Sequence, residues 1–236
     1  MHAHAAALSP GAVLFTWLGA LVFFLSLAYF LFSYVTTFGA PAPAGAAAPA
    51  ITWNVALFTV FALHHSVFAR EPLRRATARV LSQPLERSFY VWVASLMFVA
   101  VCALWRPVPG TAWQAEGALV WVLRALQAAG VWLTLYSAIA LDIRDLAGLR
   151  ATRSEAIEFK TSGPYGWVRH PIYTGWFLMV FAASPMTMTR LVFAAVSCAY
   201  LIVAIPFEER SMLNAAAGAY ERYRRQVPWR LVPHIY

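Results

Sequence analysis

The residues with the clearest potential for chemistry lie in the stretch GPYGWVRHPIYTGW, residues 163–176. Arg169 and His170 stand directly before Pro171, at the start of a long apolar segment. Ionisable groups at the edge of a membrane span are costly to bury, and they often mark functional sites. Arg169 either reaches toward lipid phosphate or binds a ligand carboxylate, and the nearby aromatic rings can face a cation. We therefore expect a site for a charged ligand here.

Two further polar clusters, HHS and EER, flank other apolar segments. His64 and His65 either end a helix, where the helix dipole favours them, or take part in chemistry. Glu208 and Glu209 are two of only ten acids in the chain. We expect these two acids to meet a cation, which is either an arginine of the chain or a ligand.

Signatures of several other chemistries are missing from the sequence. There is no GxGxxG after a strand, no P-loop, no HExxH, no CxxC and no nucleophile elbow. Cys102 and Cys198 each lie within an apolar run, where packed thiols are expected rather than a disulfide or a metal pair. We predict no metal site and no soluble nucleotide-dependent chemistry.

The composition indicates a membrane protein. The 236 residues are 61% hydrophobic and 12% charged, with a mean hydropathy of +0.62, which a soluble domain of this size has too little core to hide. The net charge of +8 could indicate nucleic acid, but 15 of the 18 Lys and Arg residues fall in four segments between or after apolar runs. This positive-inside pattern favours membrane lipid as a partner and excludes nucleic acid.

The apolar pattern predicts an all-α integral membrane bundle, one domain over 1–236, with about six transmembrane helices. The last two form a helical hairpin, and a cytoplasmic amphipathic tail helix with an extended end follows. Loops are expected at 40–50, rich in Pro and Ala, and at 70–79, rich in Arg. Six crossings place both termini and all three polar clusters on the cytoplasmic side of a bacterial inner membrane. The predicted spans are 11–38, 51–69, 89–105, 117–141, 171–184 and 190–207.

Within residues 160–230, GPYGWVRHPIYTG is followed by an apolar hairpin, EERSML and GAYERYRRQVP. This order resembles the isoprenylcysteine carboxyl methyltransferase family, whose relatives include phospholipid N-methyltransferases. The family pattern is GPYxxxRHPxYxG, a pair of spans, EE and a Y-x-x-Y-x-x-x-V-P tail. The earlier segments FALHHSVFAREPLRR, LERSFYVWVASL, WRPVP and DLAGLR resemble the branch of methanethiol S-methyltransferases, NnrU-like proteins and nurim.

The resemblance implies a membrane-embedded methyltransferase that binds S-adenosylmethionine at the cytoplasmic membrane edge without a Rossmann fold. Arg169 would bind the carboxylate of the cofactor, and Glu208 or Glu209 its ammonium. The methyl acceptor would be a small thiol, which the branch favours, or a phospholipid amine or a prenylated cysteine. His65 or Arg169 would act as the catalytic residue that favours the thiolate. The implied cofactor-binding residues are Gly163, Pro164, Tyr165, Val168, Arg169, His170, Pro171, Tyr173, Glu208 and Glu209.

Two other functions stay open from the sequence. Sterol reductases use NADPH and share an RHP-N-Y form of the motif, but Ile172 stands where their Asn would be. The EE pair and the Y-x-x-Y tail favour methyl transfer instead. A non-catalytic membrane protein similar to nurim would retain the same residues without turnover. The bulky side chains of Trp167, Tyr173, Trp176 and Phe177 could close the lateral gap that a prenyl chain needs, which favours a small acceptor.

Overall fold

The computed structural model describes residues 9–68, 83–149 and 159–236. Five helices in these ranges are long and apolar enough to cross a membrane, which confirms the predicted all-α membrane bundle. The helices are α1 Pro10–Val35, α2 Ala47–Phe68, α3 Gln83–Leu104, α4 Ala118–Leu141, α5 Ile143–Leu146, α6 Pro171–Phe181 and α7 Met188–Gln226. A 3-10 helix covers Gly163–Gly166, and strand β1 Thr111–Trp113 pairs antiparallel with β2 Met186–Thr187. The predicted basic loop at 70–79 lies outside the described residues.

The helix starts follow the local sequence. The hydroxyl of Ser9 accepts a backbone N–H of the first turn of α1 at 3.3 Å, and Pro10 takes the first helical position, where its missing N–H is not needed. The prediction of a loop throughout 40–50 is wrong at its end, because α2 begins at Ala47. Pro49 falls in the first turn, whose N–H groups have no intrahelical partner, so this proline does not break the helix.

The fifth predicted crossing, 171–184, is only partly helical. Helix α6 has 11 residues, about 16 Å of helix, whereas the hydrocarbon core of a bilayer is about 30 Å thick. The segment 182–187 continues to the far end of the bundle, where β2 pairs with β1 and Thr187 donates its hydroxyl to Phe38 O, just beyond α1. Ala183, Met186 and Thr187 are buried, as non-helical backbone must be at membrane depth.

Helix α7 joins the last predicted span to the tail. Its 39 residues run from the far end of the bundle past Glu208 into the polar tail, with non-helical backbone at Ala216. The predicted tail helix is therefore a continuation of the span. After Gln226 the chain leaves the helix and returns to the motif, where it forms backbone hydrogen bonds.

Arg190 holds the far end of the bundle together. Its side chain is buried. Its guanidinium donates to the carbonyls of Tyr34 at 2.9 Å, Val35 at 2.8 Å and Pro185 at 2.6 Å, which satisfies carbonyls at the end of α1. One turn later Phe193 is fully buried among aromatic rings from α1, α2 and α6.

Small residues hold α4 against α6. A Cβ built on Gly130 would lie 2.7 Å from Gly175 O, and one built on Gly175 would lie 2.7 Å from Gly130 O and 2.4 Å from Thr134 Oγ1. Such close backbone approach at Gly and Thr is typical of packed membrane helices. The contact fixes α6, which begins at the motif, against a helix that has few fully buried residues.

Candidate functional site

The GPYGWVRHP motif has a fixed backbone. Gly163 begins it with φ of +61°, a left-handed conformation that glycine adopts without strain. The backbone N–H groups of Arg169 and His170 donate to the carbonyls of Trp229 and Arg230, both at 2.9 Å. The residues directly before α6 are therefore held by the returning tail, although the tail lies far away in sequence.

Arg169 and Glu209 form a buried ion pair. Arg169 Nε donates to Glu209 Oε1 at 2.8 Å, and each side chain is 5% exposed. Arg169 Nη1 also donates to the carbonyls of Val227, at 2.9 Å, and Pro228. Arg230 donates to Glu209 Oε2 from Nε at 3.3 Å and Nη2 at 3.2 Å. Burial alone would lower the pKa of Arg230, but the hydrogen bonds and charge of Glu209 raise that pKa above its ordinary value. Glu209 is thus held between two guanidinium groups.

Glu208 lies beside this ion pair and is more open, with 39% of its side chain exposed. Tyr173 donates its hydroxyl to Glu208 Oε1. His170 stands between the two acids, with Nδ1 at 3.7 Å from Glu208 Oε2 and Nε2 at 3.4 Å from Glu209 Oε1. Its ring stacks on Tyr173 with centroids 5.4 Å apart. Of the two acids, Glu208 is the one with room for a cationic ligand.

Two residues of the HHS cluster on α2, His65 and Ser66, contact tyrosines of other helices. The Tyr90 hydroxyl lies 2.9 Å from His65 Nδ1 and 3.2 Å from His65 O. Ser66 Oγ lies 2.8 Å from the hydroxyl of Tyr200. We call His65, Ser66, Tyr90 and Tyr200 the tyrosine cluster, which α2, α3 and α7 assemble. Tyr200 lies on α7 about two turns before Glu208.

Two buried hydroxyls near the ion pair, those of Tyr165 and Tyr220, have no hydrogen-bond partner among the described residues. Burial raises the pKa of Tyr165 well above its ordinary value, so this hydroxyl stays protonated and can donate. Tyr220 is fully buried and faces Glu209 without reaching hydrogen-bonding geometry. Buried hydroxyls without partners are rare, and they suit a bound polar group.

A cavity of about 390 Å³ opens between the motif and the tail. It is lined by Arg169, Glu221, Arg224, Arg225 and Pro228. Because four of these five residues are charged, the cavity suits a polar, charged ligand.

The structure brings most of the predicted site residues together. Those in direct contact with one another are Arg169, His170, Tyr173, Glu208 and Glu209. Those that form the motif backbone around them are Gly163, Pro164, Tyr165, Val168 and Pro171, all buried except Gly163. His65 contacts Tyr90 and none of these residues in the described ranges. In the described ranges, no group of three or more His, Cys, Asp or Glu residues could hold a metal ion.

Sequence reasoning missed Tyr90, Tyr200, Tyr220 and Arg230 as site residues. Tyr90 lies within LERSFY and Tyr220 within the Y-x-x-Y tail, so both stood in segments that already carried the family resemblance. Arg230 counted only as part of the basic tail. Tyr200 had one signal, a hydroxyl in the middle of an apolar span.

Comparison with known proteins identifies relatives of this chain. The family model for the isoprenylcysteine carboxyl methyltransferase (ICMT) family matches residues 149–214. The methanethiol S-methyltransferase of Crocosphaera subtropica is 37% identical over 194 residues, which is 79% of this chain and 76% of the relative. The methanethiol S-methyltransferase of Mycobacterium tuberculosis is 36% identical over 201 residues, which is 78% of this chain and 80% of the relative. The nurim homolog of Drosophila melanogaster is 22% identical over 190 residues, which is 70% of this chain and 69% of the relative. No solved structure matches the chain.

The family match includes both the motif and the Glu208–Glu209 pair, which meet in the folded chain. The two methanethiol S-methyltransferases are more than one third identical to this chain over more than three quarters of its length. This chain is an integral membrane methyltransferase that belongs to the isoprenylcysteine carboxyl methyltransferase family.

Proposed function

We propose that this protein transfers a methyl group from S-adenosylmethionine to a small thiol at the cytoplasmic edge of a bacterial inner membrane. The observation that carries the proposal is the charged half of the site, in which Arg169 contacts Glu209 and His170 stands between Glu208 and Glu209. The other half is the tyrosine cluster with His65, which shares α7 with Glu208 through Tyr200. Relatives named methanethiol S-methyltransferases support a small thiol as the acceptor.

The charged half fits the amino-acid end of S-adenosylmethionine, which has a carboxylate and an ammonium. Arg169 lines the cavity at the tail and would bind the carboxylate. Glu208, the more open acid, would bind the ammonium together with the ring of Tyr173. The unpartnered hydroxyls of Tyr165 and Tyr220 would bind polar atoms of the cofactor. When bound, S-adenosylmethionine supplies a methyl group made electrophilic by its sulfonium.

His65 is the better of the two predicted candidates for receiving the proton of the thiol. Arg169 already donates from Nε and Nη1, and arginine does not lose its proton in proteins. His65 uses Nδ1 and leaves Nε2 without a partner among the described residues. His65 Nε2 would take the proton of the thiol as the thiol sulfur gains the methyl group, and the demethylated cofactor would leave as a neutral thioether.

Bulky side chains near the motif support a small acceptor. Trp176 Nε1 donates to Ser197 Oγ at 3.1 Å, and its ring stacks on Phe30 with centroids 4.8 Å apart. Trp176 therefore fills the space between α6, α7 and α1, and Phe177 packs against the same core. Trp167 is exposed and lies outside this packing. A filled space at this level leaves little room for a prenyl chain between α6 and α7.

The test is methyl transfer by purified protein in lipid nanodiscs with radiolabelled S-adenosylmethionine. Methanethiol, a farnesylcysteine analogue and phosphatidylethanolamine are compared as acceptors, and NADPH oxidation is followed with a sterol. We expect methylation of methanethiol, lower cofactor affinity in Glu208→Gln, and no change in the matched variant Glu116→Gln, an exposed acid at the far end of the bundle. Methylation of the farnesylcysteine analogue alone would reject the thiol, and absence of cofactor binding would reject the whole proposal.

A further inference from the structure

Tyr90 contacts one histidine at two atoms, and the two contacts together point to where the histidine proton lies. The Tyr90 hydroxyl is 2.9 Å from His65 Nδ1 and 3.2 Å from His65 O. A hydroxyl has one proton to donate, and a carbonyl oxygen can only accept. Each contact has a proton of its own when Tyr90 donates to His65 O and accepts the proton carried by Nδ1.

This arrangement leaves a lone pair on the other ring nitrogen. In a neutral imidazole, one nitrogen carries the proton and the other accepts. With the proton on Nδ1, His65 Nε2 is the acceptor, and it has no hydrogen-bond partner in the described part of the chain. We infer that Tyr90 is a positioning residue that holds His65 in the tautomer able to take the proton of a thiol. The inference rests on the proposed thiol methylation.

Tyr90 is itself held firmly enough to orient a neighbour. The guanidinium carbon of Arg87 lies 5.5 Å from the centroid of the Tyr90 ring. Arg87 donates to Asp145 O from Nε at 3.2 Å and Nη2 at 3.1 Å, which ties α3 to α5. The ring of His64 lies parallel to that of Tyr90 within 12°, with centroids 6.1 Å apart. In the described ranges, the titratable and charged groups that act on His65 or on its partner Tyr90 are His64 on α2, Arg87 on α3, and Tyr200 and Glu208 on α7.

The first experiment reads the tautomer directly and does not depend on turnover. Nitrogen NMR of protein labelled at histidine distinguishes a protonated ring nitrogen from one with a lone pair, and the His65→Gln variant identifies the signals of His65. We expect protonated Nδ1 and unprotonated Nε2 in the wild type, with this preference lost in Tyr90→Phe. A wild-type signal from protonated Nε2 would overturn the inference.

The second experiment separates positioning from a structural role by changing the acidity of the acceptor. Ethanethiol and trifluoroethanethiol have similar shapes, but the fluorinated thiol ionises far more readily and needs little help from a base. We expect Tyr90→Phe to lower kcat/KM for ethanethiol by about 10- to 100-fold, with a much smaller loss for trifluoroethanethiol. The matched control is Tyr29→Phe, a half-exposed tyrosine on α1, which should behave as the wild type.

The outcomes distinguish this inference from the proposed function. Equal losses on both thiols, or no loss on either, would assign Tyr90 a purely structural role or none and would overturn the inference. If the wild type binds S-adenosylmethionine but methylates neither thiol, the proposed acceptor is wrong. The NMR measurement then still decides whether Tyr90 controls the tautomer of His65.

Discussion

Arg169 and Glu209 are 40 positions apart in sequence, yet Arg169 Nε donates to Glu209 Oε1 at 2.8 Å. The pair joins the residues before α6 to α7, and both side chains are almost fully buried. Removing one member of such a pair leaves the other charge buried without compensation. Glu208 differs, because within the described residues it has no arginine partner and its side chain is more open. The two adjacent glutamates should therefore respond differently to the same change.

Glu209→Gln should destabilise the protein, whereas Glu208→Gln should weaken cofactor binding in a stable protein. Breaking a buried ion pair costs about 3 to 5 kcal/mol, and losing one charge-assisted hydrogen bond to a ligand costs about 1.5 to 3 kcal/mol, or roughly 10- to 100-fold in affinity. Thermal unfolding in detergent measures the first effect and calorimetric titration with S-adenosylmethionine the second. Equal melting temperatures for the two variants would contradict the division of roles.

Gly175→Ala should separate α4 from α6 and displace the motif. The added Cβ would lie 2.4 Å from Thr134 Oγ1 and 2.7 Å from Gly130 O, and such overpacking costs about 1 to 3 kcal/mol. We expect a lower melting temperature together with lower activity. Gly11→Ala is the matched control, since its Cβ would meet nothing within 4 Å. An unchanged Gly175→Ala protein would show that the two helices have freedom to move apart.

Gly163→Ala should strain the first turn of the motif. A residue with a Cβ at φ of +61° costs about 1 to 2 kcal/mol, and the new atom would lie 3.2 Å from the Tyr136 hydroxyl. Gly163→Asn should be milder, because asparagine adopts left-handed backbone more readily. Cofactor affinity measured for the two variants checks the order, and alanine tolerated better than asparagine would argue against backbone strain.

Reporter fusions test the sidedness proposed for the bundle. Fusions after residues 45 and 112 should report the periplasm, and a fusion after residue 236 should report the cytoplasm. The reason is that 15 of the 18 Lys and Arg residues fall in the segments predicted to share the cytoplasmic face with the site. A periplasmic signal after residue 236 would place the site on the other face of the membrane.

The sequence was most informative where charge interrupts apolar segments. Arg169, Glu208 and Glu209 stand out because an isolated charge beside a span needs a partner, and the positive-inside pattern put them on one face. Their pairing could not be read from the sequence, since each acid could pair with Arg169, with another arginine of the chain or with a ligand. The roles of these residues in binding the cofactor remain predictions.

The parts that escaped sequence reasoning depend on contacts between distant segments. Tyr90 and Tyr200 resemble any aromatic residue in a membrane helix until folding brings them to His65 and Ser66. The shortness of α6 was equally hidden, because the apolar run does not mark where helical backbone gives way to the extended segment 182–187. Hydropathy indicates that a segment is buried in lipid or protein. It does not indicate whether the backbone of that segment is helical or extended as it crosses the membrane.

The hydrogen bonds from the motif to the returning tail set an order of events during synthesis. Pro228, whose carbonyl binds Arg169, follows it by 59 positions, about 3 to 12 s of translation at about 5 to 20 residues per second. During that interval Arg169 lacks the tail carbonyls that later hold it. The spans are thus made before the site, and methyl transfer can begin only once the ribosome has passed the tail.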